Sequence, residues 1–362
     1  MYKRGIYLSL LFLSGCLCST ACRQTTAIGK GVVSPERVQL RQSTARVQGN
    51  AGELKRGDKV TIIGEQGTLL KVRSESTNQI EGWLDKKDII SESMVAKAKT
   101  LENSVKGIPA QASGKLKQDA NLRLDPSREN DSNVVFMIPR DTKFEIIDKR
   151  RTPTPKSKDT PKDTSVKDTK PIDTSTKSVK SKGLKGKDSA KDIDKPKMDT
   201  WYEVRLPEDF VARVGWVYSA SVEIAIPVEI STYENSGYKF VAWHTVGMVR
   251  DKDSGEVKNY LILEKKIGSS DSEADFDRIY TLAWDPESHG YYSIFVQSDI
   301  RGKTPLRVET DKNGVSNVTM TLLDKNGDSE EAHYEVSKDD KGKWRMVRTD
   351  SAAASKPSAK KH

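Results

Sequence analysis

The sequence predicts a mainly β protein made of two small barrels followed by an antiparallel β-meander. Four blocks of residues recur in the same order in two parts of the chain, and short alternating strands between Gly and Asp turns fill both copies. Regular turn signals then divide residues 227–349 into further short strands. Short strands at such spacing are typical of antiparallel barrels and sandwiches, so both forms are open for the meander.

The chain begins like an exported protein. Its basic start, Lys3 and Arg4, precedes an apolar run over 6–12. A positive start before a short apolar core is typical of a secretory signal, whereas a helix that crosses a bilayer needs about 20 apolar residues. The run therefore predicts a signal peptide rather than a membrane span.

The segment Leu13–Cys16, with the sequence Leu-Ser-Gly-Cys, resembles the lipobox of bacterial lipoproteins. In that family the cysteine is acylated and becomes the first residue after cleavage. The resemblance therefore implies a signal peptide over 1–15, a lipid on Cys16 and a tether over 16–34. Cys22 is the alternative lipidation site, and a secretory signal with an incidental cysteine is the other interpretation.

The resemblance also implies a location. The residue after Cys16 is Leu17 rather than the Asp that resembles an inner-membrane retention signal in enterobacteria. We therefore expect a lipid-anchored protein of the cell envelope, at the outer membrane and facing the periplasm or the cell surface.

Composition limits the chemistry of the folded part. All three cysteines lie at positions 16, 18 and 22, which leaves no disulfide, cysteine metal ligand or cysteine nucleophile downstream. The net charge of +9 is concentrated in the Lys- and Asp-rich stretch 149–199 and in the basic tail 350–362, which we expect to be disordered. A mildly acidic folded part in an exported protein predicts no nucleic-acid binding, and membrane contact through the lipid alone.

The repeat consists of four matched blocks, which indicates two copies of one structural unit. The blocks are Val38–Arg41 with Ala120–Arg123, Leu54–Ile63 with Ile138–Ile147, Leu69–Arg73 with Trp201–Arg205, and Glu81–Leu84 with Val214–Val217.

The second copy carries Asn-Leu-Arg at 121–123, Trp-Tyr-Glu-Val at 201–204 and Gly-Trp-Val at 215–217, and these motifs resemble those of the bacterial SH3-like domain. The first copy departs at Gln39 and Leu69, where the family has Asn and Trp. The resemblance implies SH3-like barrels over 35–90 and 115–224, which in this family bind peptidoglycan or peptides.

Two stretches separate or interrupt the copies. Residues 150–199 contain no aromatic residue and repeat Lys-Asp-Thr, a composition that buries too little apolar surface to fold. We expect a long disordered insertion there, between two paired strands of the second barrel. Residues 91–114 place Met94, Ala98 and Leu101 near helical spacing after a Ser cap, which predicts a helical connector.

The second copy supplies the candidate binding residues Arg123, Tyr202, Trp216 and Tyr218. With Trp201, the aromatic members have the composition of a groove for peptides or glycans. Strand alternation places Trp201 and Trp216 on one side and Tyr202 on the other, so packing of the tryptophans in the barrel core is the alternative.

Residues 227–349 contain two Asn-Gly turns and roughly eight alternating strands, but resemble no family. Five aromatic residues have positions suited to lining a ligand cavity, or to forming a simple core: Trp243, Tyr280, Trp284, Tyr292 and Phe295.

The sequence contains no pattern that points to catalysis. The four histidines have no metal-ligand spacing, and no nucleophile elbow, phosphate loop or dinucleotide motif is present. Asp324–Asp328 partly resembles a calcium loop, yet its flanks predict a hairpin. We expect no enzyme, cofactor or metal, but an envelope protein that binds peptidoglycan or a partner peptide. The alternative is a carrier whose C-terminal barrel holds a small apolar ligand.

Overall fold

The computed structural model describes residues 26–45, 49–76, 78–155, 197–234 and 237–350. Their architecture is mainly β, with two curled seven-stranded sheets and two four-stranded antiparallel sheets. The predicted signal, Cys16, Cys22 and most of the insertion and tail lie outside the described residues. No helix in the described ranges is long and apolar enough to cross a membrane.

The first curled sheet has the strand order β3-β2-β6-β5-β4-β1-β7. Its strands are β1 (Gly29–Val33), β2 (Arg37–Arg41), β3 (Asn50–Lys55), β4 (Lys59–Gln66), β5 (Leu69–Ser74), β6 (Glu81–Asp85) and β7 (Ile89–Ser91). The first strand lies in the predicted tether 16–34, so that tether is shorter than predicted. Val33 is fully buried, and Gly31 lies too close to Ile90 to admit a side chain, so this segment is part of the fold.

The second curled sheet repeats the same topology, in the order β10-β9-β13-β12-β11-β8-β14. Its strands are β8 (Ala112–Leu116), β9 (Ala120–Arg123), β10 (Val134–Ile138), β11 (Lys143–Pro153), β12 (Met198–Arg205), β13 (Val214–Tyr218) and β14 (Val222–Ile224). Each strand occupies the place of the strand seven earlier in the chain. The prediction of two copies of one unit is therefore confirmed.

The strand registers match as well. Arg41 pairs with Trp83 in the first sheet, and Arg123 pairs with Trp216 in the second. Both copies have a bulge at the second Ile of their Ile-Ile pair, in β4 and in β11. A Cβ on Gly215 would lie 2.7 Å from the Leu122 side chain, so the glycine before the tryptophan allows close strand packing.

The helix α1 (Glu92–Ser104) joins the two curled sheets. Ser91 caps its N-terminus by accepting a hydrogen bond from the Met94 amide, as the sequence predicts. Apolar residues after the helix pack against Ile147 and Val214 of the second sheet. The predicted connector 91–114 is too long, because β8 already begins at Ala112 and buries alternate residues in the second sheet.

The C-terminal region follows a short helix, α2 (Val228–Ser231), and contains eight strands. The third sheet consists of β15 (Tyr238–Asp251), β16 (Gly255–Lys266), β17 (Arg278–Asp285) and β18 (Gly290–Gln297). The fourth sheet consists of β19 (Gly302–Thr310), β20 (Ser316–Leu323), β21 (Ser329–Lys338) and β22 (Trp344–Arg348). The two sheets pack face to face, so of the two predicted forms the structure has the sandwich.

At its centre, along β16, the third sheet is buried on both faces. On β16, Leu261 and Leu263 face the fourth sheet, whereas Tyr260 and Ile262 face the second curled sheet. Trp243 on β15 packs in that same contact. Because alternate residues point to opposite faces, a strand in the middle layer is apolar at consecutive positions.

Gln111 joins the connector, the second curled sheet and the sandwich. Its side-chain Nε2 donates to the Leu306 carbonyl and its Oε1 accepts from the Leu306 amide, both at 2.9 Å. Its backbone amide donates to the Ile146 carbonyl, and its carbonyl accepts from the Trp243 amide. Only 2% of Gln111 is exposed, so these bonds form away from water, where an unpaired group is costly.

His244 makes the stability of the sandwich depend on pH. It lies on β15 opposite Leu261, it is 6% exposed, and its Nε2 has no hydrogen-bond partner among the described residues. Burial lowers the pKa of His244 from 6.5 to about 4. The unfolded chain therefore takes up a proton more readily than the folded chain as the pH falls below 6.5.

We expect His244→Leu to weaken the loss of stability in acid. Between pH 6.5 and 4 the wild type should lose ~1.4 kcal/mol of unfolding free energy per pH unit more than the variant does. Urea unfolding at several pH values measures this difference. The exposed His333, changed to Leu, is the control, and parallel pH curves for wild type and His244→Leu would contradict the assignment.

Candidate functional site

Aromatic and charged side chains gather on the second curled sheet, on the face opposite to that of Val217. We call this group the Tyr218 surface. It consists of Arg128, Arg150, Asp199, Trp201, Trp216 and Tyr218. Strands β11, β12 and β13 supply most of it, since Trp201 pairs with both Arg150 and Tyr218 in the ladder. The loop between β9 and β10 supplies Arg128.

Asp199 anchors one side of the Tyr218 surface. It is 2% exposed and accepts two hydrogen bonds from the Arg128 guanidinium, at 2.8 and 3.0 Å. The Thr154 hydroxyl donates to the same carboxylate at 3.0 Å. Arg128 in turn lies 4.7 Å from the centre of the Tyr218 ring. The donors of Arg128 that face Asp199 are thus occupied, and they hold the loop against the sheet.

Trp201 supports Tyr218 from below. It is 1% exposed, its indole N–H donates to the Thr152 hydroxyl at 3.1 Å, and its ring centre lies 5.4 Å from that of Tyr218. Tyr218 itself is half-buried. Trp201 is therefore a core residue, and Tyr218 presents the accessible part of the aromatic pair.

Arg150 is the available cation of the Tyr218 surface. Its guanidinium lies 4.6 Å from the Trp216 ring, while Trp216 is 2% exposed. Arg150 is exposed and makes no hydrogen bond or ion pair with any residue that the structure describes. A guanidinium stacked on a ring keeps its N–H groups in a fixed plane, which suits a carboxylate held by two hydrogen bonds.

The predicted binding residues do not all meet at this surface. Trp216 and Tyr218 do, but Arg123 is 8% exposed and donates to Asn130, Asp131 and Asn133 at 2.7 to 2.9 Å. Arg123 thus holds the β9–β10 loop. Tyr202 points to the opposite face, is half-buried against the main core, and burial raises the pKa of its hydroxyl.

Sequence reasoning missed Arg128, Arg150 and Asp199. The predicted insertion 150–199 includes two of them, but the ladder continues to the pair formed by Pro153 and Met198. The insertion is therefore shorter than predicted. The low-complexity composition of this stretch gives no sign of the two strand ends. The structure identifies them, because the pairing of β11 with β12 continues beyond Trp201.

Two acidic side chains lie near Arg150, and one of them, Glu203, lies beside Trp216. Glu203 is 4% exposed and faces both Asp148 and Trp216 in the ladder. Burial, with the nearby charge of Asp148, raises the pKa of Glu203 from 4.5 to about 7. Burial also raises the pKa of Asp148 to about 6. Protonation of this pair therefore changes the charge next to Arg150 near neutral pH.

The first curled sheet lacks an equivalent surface. Leu69 stands where the second copy has Trp201, and Asp85 stands where it has Tyr218. Asp85 forms an ion pair with Arg41 at 3.2 Å. Among the described residues, the two copies share a fold, but only the second brings aromatic rings together with an arginine that has no acceptor.

The five aromatic residues of the C-terminal region do not line one cavity. Trp243 faces the second curled sheet, Tyr280 lies beside Arg278, and Phe295 packs against Tyr334 between the sandwich sheets. Trp284 and Tyr292 line a cavity of about 570 Å³ at one end of the sandwich. Of the two interpretations left open, a cavity lined by all five residues does not form, because the strands direct these side chains to both faces of the third sheet.

Asp251, Asp253 and His289 could offer three ligand atoms within 4.8 Å of one another. Asp251, however, accepts hydrogen bonds from the Trp284 indole and from the amides of Asp253 and Ser254. One carboxylate oxygen of Asp251 is therefore used in its own hairpin, and the other by Trp284 of β17. The Asp324 segment is likewise a turn between β20 and β21, as the sequence predicts.

No protein-family model matches the chain, and no curated protein matches its sequence. A solved NlpC/P60 family protein from Bacillus cereus ATCC 10987 is 10% identical with a TM-score of 0.21, and the match covers 54% of this chain and 56% of that one. The chain thus spans little more than half the length of that protein. The structure of NlpC2 from Trichomonas vaginalis is 12% identical with a TM-score of 0.16, covering 90% and 97%. Similarity at this level leaves the functional argument to the chain's own residues.

We expect Glu203→Gln to stabilise the protein at alkaline pH. A folded pKa above the unfolded one means that stability falls as the pH rises from about 4.5 to about 7. The variant should lack this loss, worth ~1.4 kcal/mol per pH unit within the window. Urea unfolding at pH 4.5 and pH 8 measures it, with the exposed Glu208→Gln as control. Equal gains at both pH values would contradict the raised pKa.

Proposed function

We propose that the chain is a lipid-anchored, non-enzymatic protein of the cell envelope whose second SH3-like unit binds peptidoglycan or a partner peptide. The observation that carries this proposal is Arg150, which is stacked on Trp216 next to the half-buried Tyr218 and has no hydrogen-bond acceptor among the described residues. Peptides, including the stem peptides of peptidoglycan, carry carboxylates that such a guanidinium can hold with two hydrogen bonds. The motif resemblance of the second copy supports the same class of ligand.

The Tyr218 surface is held in place before any ligand binds. Trp201 packs under Tyr218, and the Arg128 ion pair with Asp199 fixes the adjacent loop. Side chains that are already ordered lose little conformational freedom on binding, which favours affinity. This order supports a binding role for the second copy rather than for the first.

A non-enzymatic role is supported by the placement of the cysteines. Peptidases of the cell wall that carry SH3-like units commonly use a Cys-His pair, and all cysteines of this chain lie at positions 16, 18 and 22. These positions precede both repeat copies, so the cysteine part of such a pair is missing from the folded region.

The carrier alternative finds no support in the sandwich core. Phe276, Tyr334 and Leu263 are 0 to 1% exposed and pack together between the two sheets. Side chains from both sheets fill the core between the third and fourth sheets. The apolar ligand that a carrier would hold therefore has no cavity in this core.

We expect Arg150→Ala and Tyr218→Ala each to weaken binding to purified peptidoglycan sacculi by at least about fivefold, as for residues central to an interface. Sedimentation of the full chain with sacculi measures the bound fraction. Arg140→Ala removes the same charge from an exposed turn and should bind like the wild type. Sacculi that retain no protein would contradict the cell-wall form of the proposal, and equal binding of all variants would remove the Tyr218 surface from it.

We expect cells fed an alkyne analogue of palmitate to label the wild type and Cys22→Ala, but not Cys16→Ala. The thiol of the first residue after cleavage is the acceptor of the lipid in the family that the lipobox resembles. Gel fluorescence after coupling to a dye measures the label. Loss in Cys22→Ala alone would move the anchor to that residue, and an unlabelled wild type would contradict lipid anchoring.

A further inference from the structure

The open end of the sandwich carries two adjacent cavities. Their volumes are about 570 and about 690 Å³, and Trp344 and Lys338 line both. The hairpins β15–β16, β17–β18, β19–β20 and β21–β22 all lie at this end. Volumes of this size suit a small molecule or a few sugar rings. Trp344 stands between the cavities, which together form one groove that we call the Trp344 groove.

Aromatic rings form the apolar part of the Trp344 groove. Trp344 lies directly on Gly247, where a Cβ would approach its ring to 2.6 Å, so glycine is required for this packing. Tyr292 is 37% exposed in the first cavity, beside Trp284. Ring faces of this kind pack against the C–H faces of sugars, whose hydroxyl groups remain free for polar contacts.

Three lysines give the Trp344 groove an excess of available positive charge. Lys338 holds its ammonium 5.3 Å from the centre of the Trp344 ring, and Lys341 and Lys343 lie in the turn that joins β21 to β22. None of the three ammonium groups makes a hydrogen bond or ion pair with a residue in the described ranges.

Two carboxylates of the same hairpins, those of Asp339 and Asp285, are used within their own turns, whereas the exposed Asp340 makes no hydrogen bond or ion pair with a described residue. Asp339 accepts from the amides of Lys341 and Lys343, at 2.9 and 2.8 Å. Asp285 accepts from the Glu287 amide and the Ser288 hydroxyl. Glu287 is the remaining acid of the first cavity. The groove thus offers free cations and few free anions, which favours an anionic ligand.

We propose that the Trp344 groove binds an acidic saccharide, with a sugar ring on Tyr292 and Trp344 and a carboxylate at Lys338 and Lys343. The Trp344 groove lies on the third and fourth sheets, whereas the Tyr218 surface lies on the second curled sheet. The proposal does not depend on the function proposed for the Tyr218 surface. Polar groups of the second cavity, among them Thr245, Asn313 and Ser337, suit the hydroxyl and amide groups of a sugar chain.

Calorimetry of the full chain with two saccharides tests this assignment. The probes are a hyaluronan hexasaccharide, which carries a carboxylate on every second ring, and the neutral N-acetylchitohexaose. The acidic probe should bind at least tenfold more tightly. Lys338→Gln and Lys343→Gln should each weaken its binding by about tenfold, the usual effect of losing a charge-assisted hydrogen bond. Tyr292→Ala should weaken the binding of both probes, since it removes ring contact alone.

The matched control is Lys325→Gln, which removes an exposed lysine from the equivalent turn at the other end of the sandwich and should bind like the wild type. Each variant should unfold at the wild-type midpoint. No binding of the acidic probe, equal affinity for both probes, or unchanged affinity in the lysine variants would overturn the proposal. Tighter binding of poly-L-glutamate than of hyaluronan would overturn it in favour of an acidic peptide.

Discussion

The burial of both faces of the third sheet is the constraint on which the rest of the structure depends. β16 contributes apolar side chains to the sandwich on one face and to the second curled sheet on the other. Separating the third sheet from the second curled sheet or from the fourth sheet would expose the apolar side chains of one face of β16 to water. This explains why Gln111 can make its hydrogen bonds to Leu306 and Trp243 away from water. It also explains why the second, third and fourth sheets pack together as consecutive layers.

The sequence predicts the repeated unit well, because its signals are local. Gly-Trp pairs, Asn-Gly turns and alternating residues each indicate the local backbone conformation. The equivalent strand pairs Arg41–Trp83 and Arg123–Trp216 confirm how the two copies align with each other. The choice between barrel and sandwich was beyond this reasoning, since it depends on contacts between sheets far apart in the chain. The candidate site was predicted in part. Trp216 belongs to a motif and Tyr218 directly follows it, whereas Arg150 and Asp199 lie in a stretch whose composition indicates disorder.

The two copies show how one backbone can hold different surfaces. The positions of Trp201 and Glu203 in the ladder correspond to those of Leu69 and Lys71, and both Glu203 and Lys71 pair with a tryptophan. In the second copy a buried acid lies close to a free arginine, and in the first copy Lys71 pairs with Glu81 at 3.6 Å. The fold sets where the side chains stand, and the side chains alone decide whether a cation is available.

The closed base of the β11–β12 hairpin has a consequence for engineering. Pro153 pairs with Met198, and the Thr154 amide donates to the Lys197 carbonyl at 2.8 Å, so the two ends of residues 156–196 leave the sheet side by side. Sequence placed between such ends adds a closure cost that grows only slowly with length. An epitope or a fluorescent reporter inserted between these two strand ends would therefore stand next to the Tyr218 surface, at a small cost in loop closure.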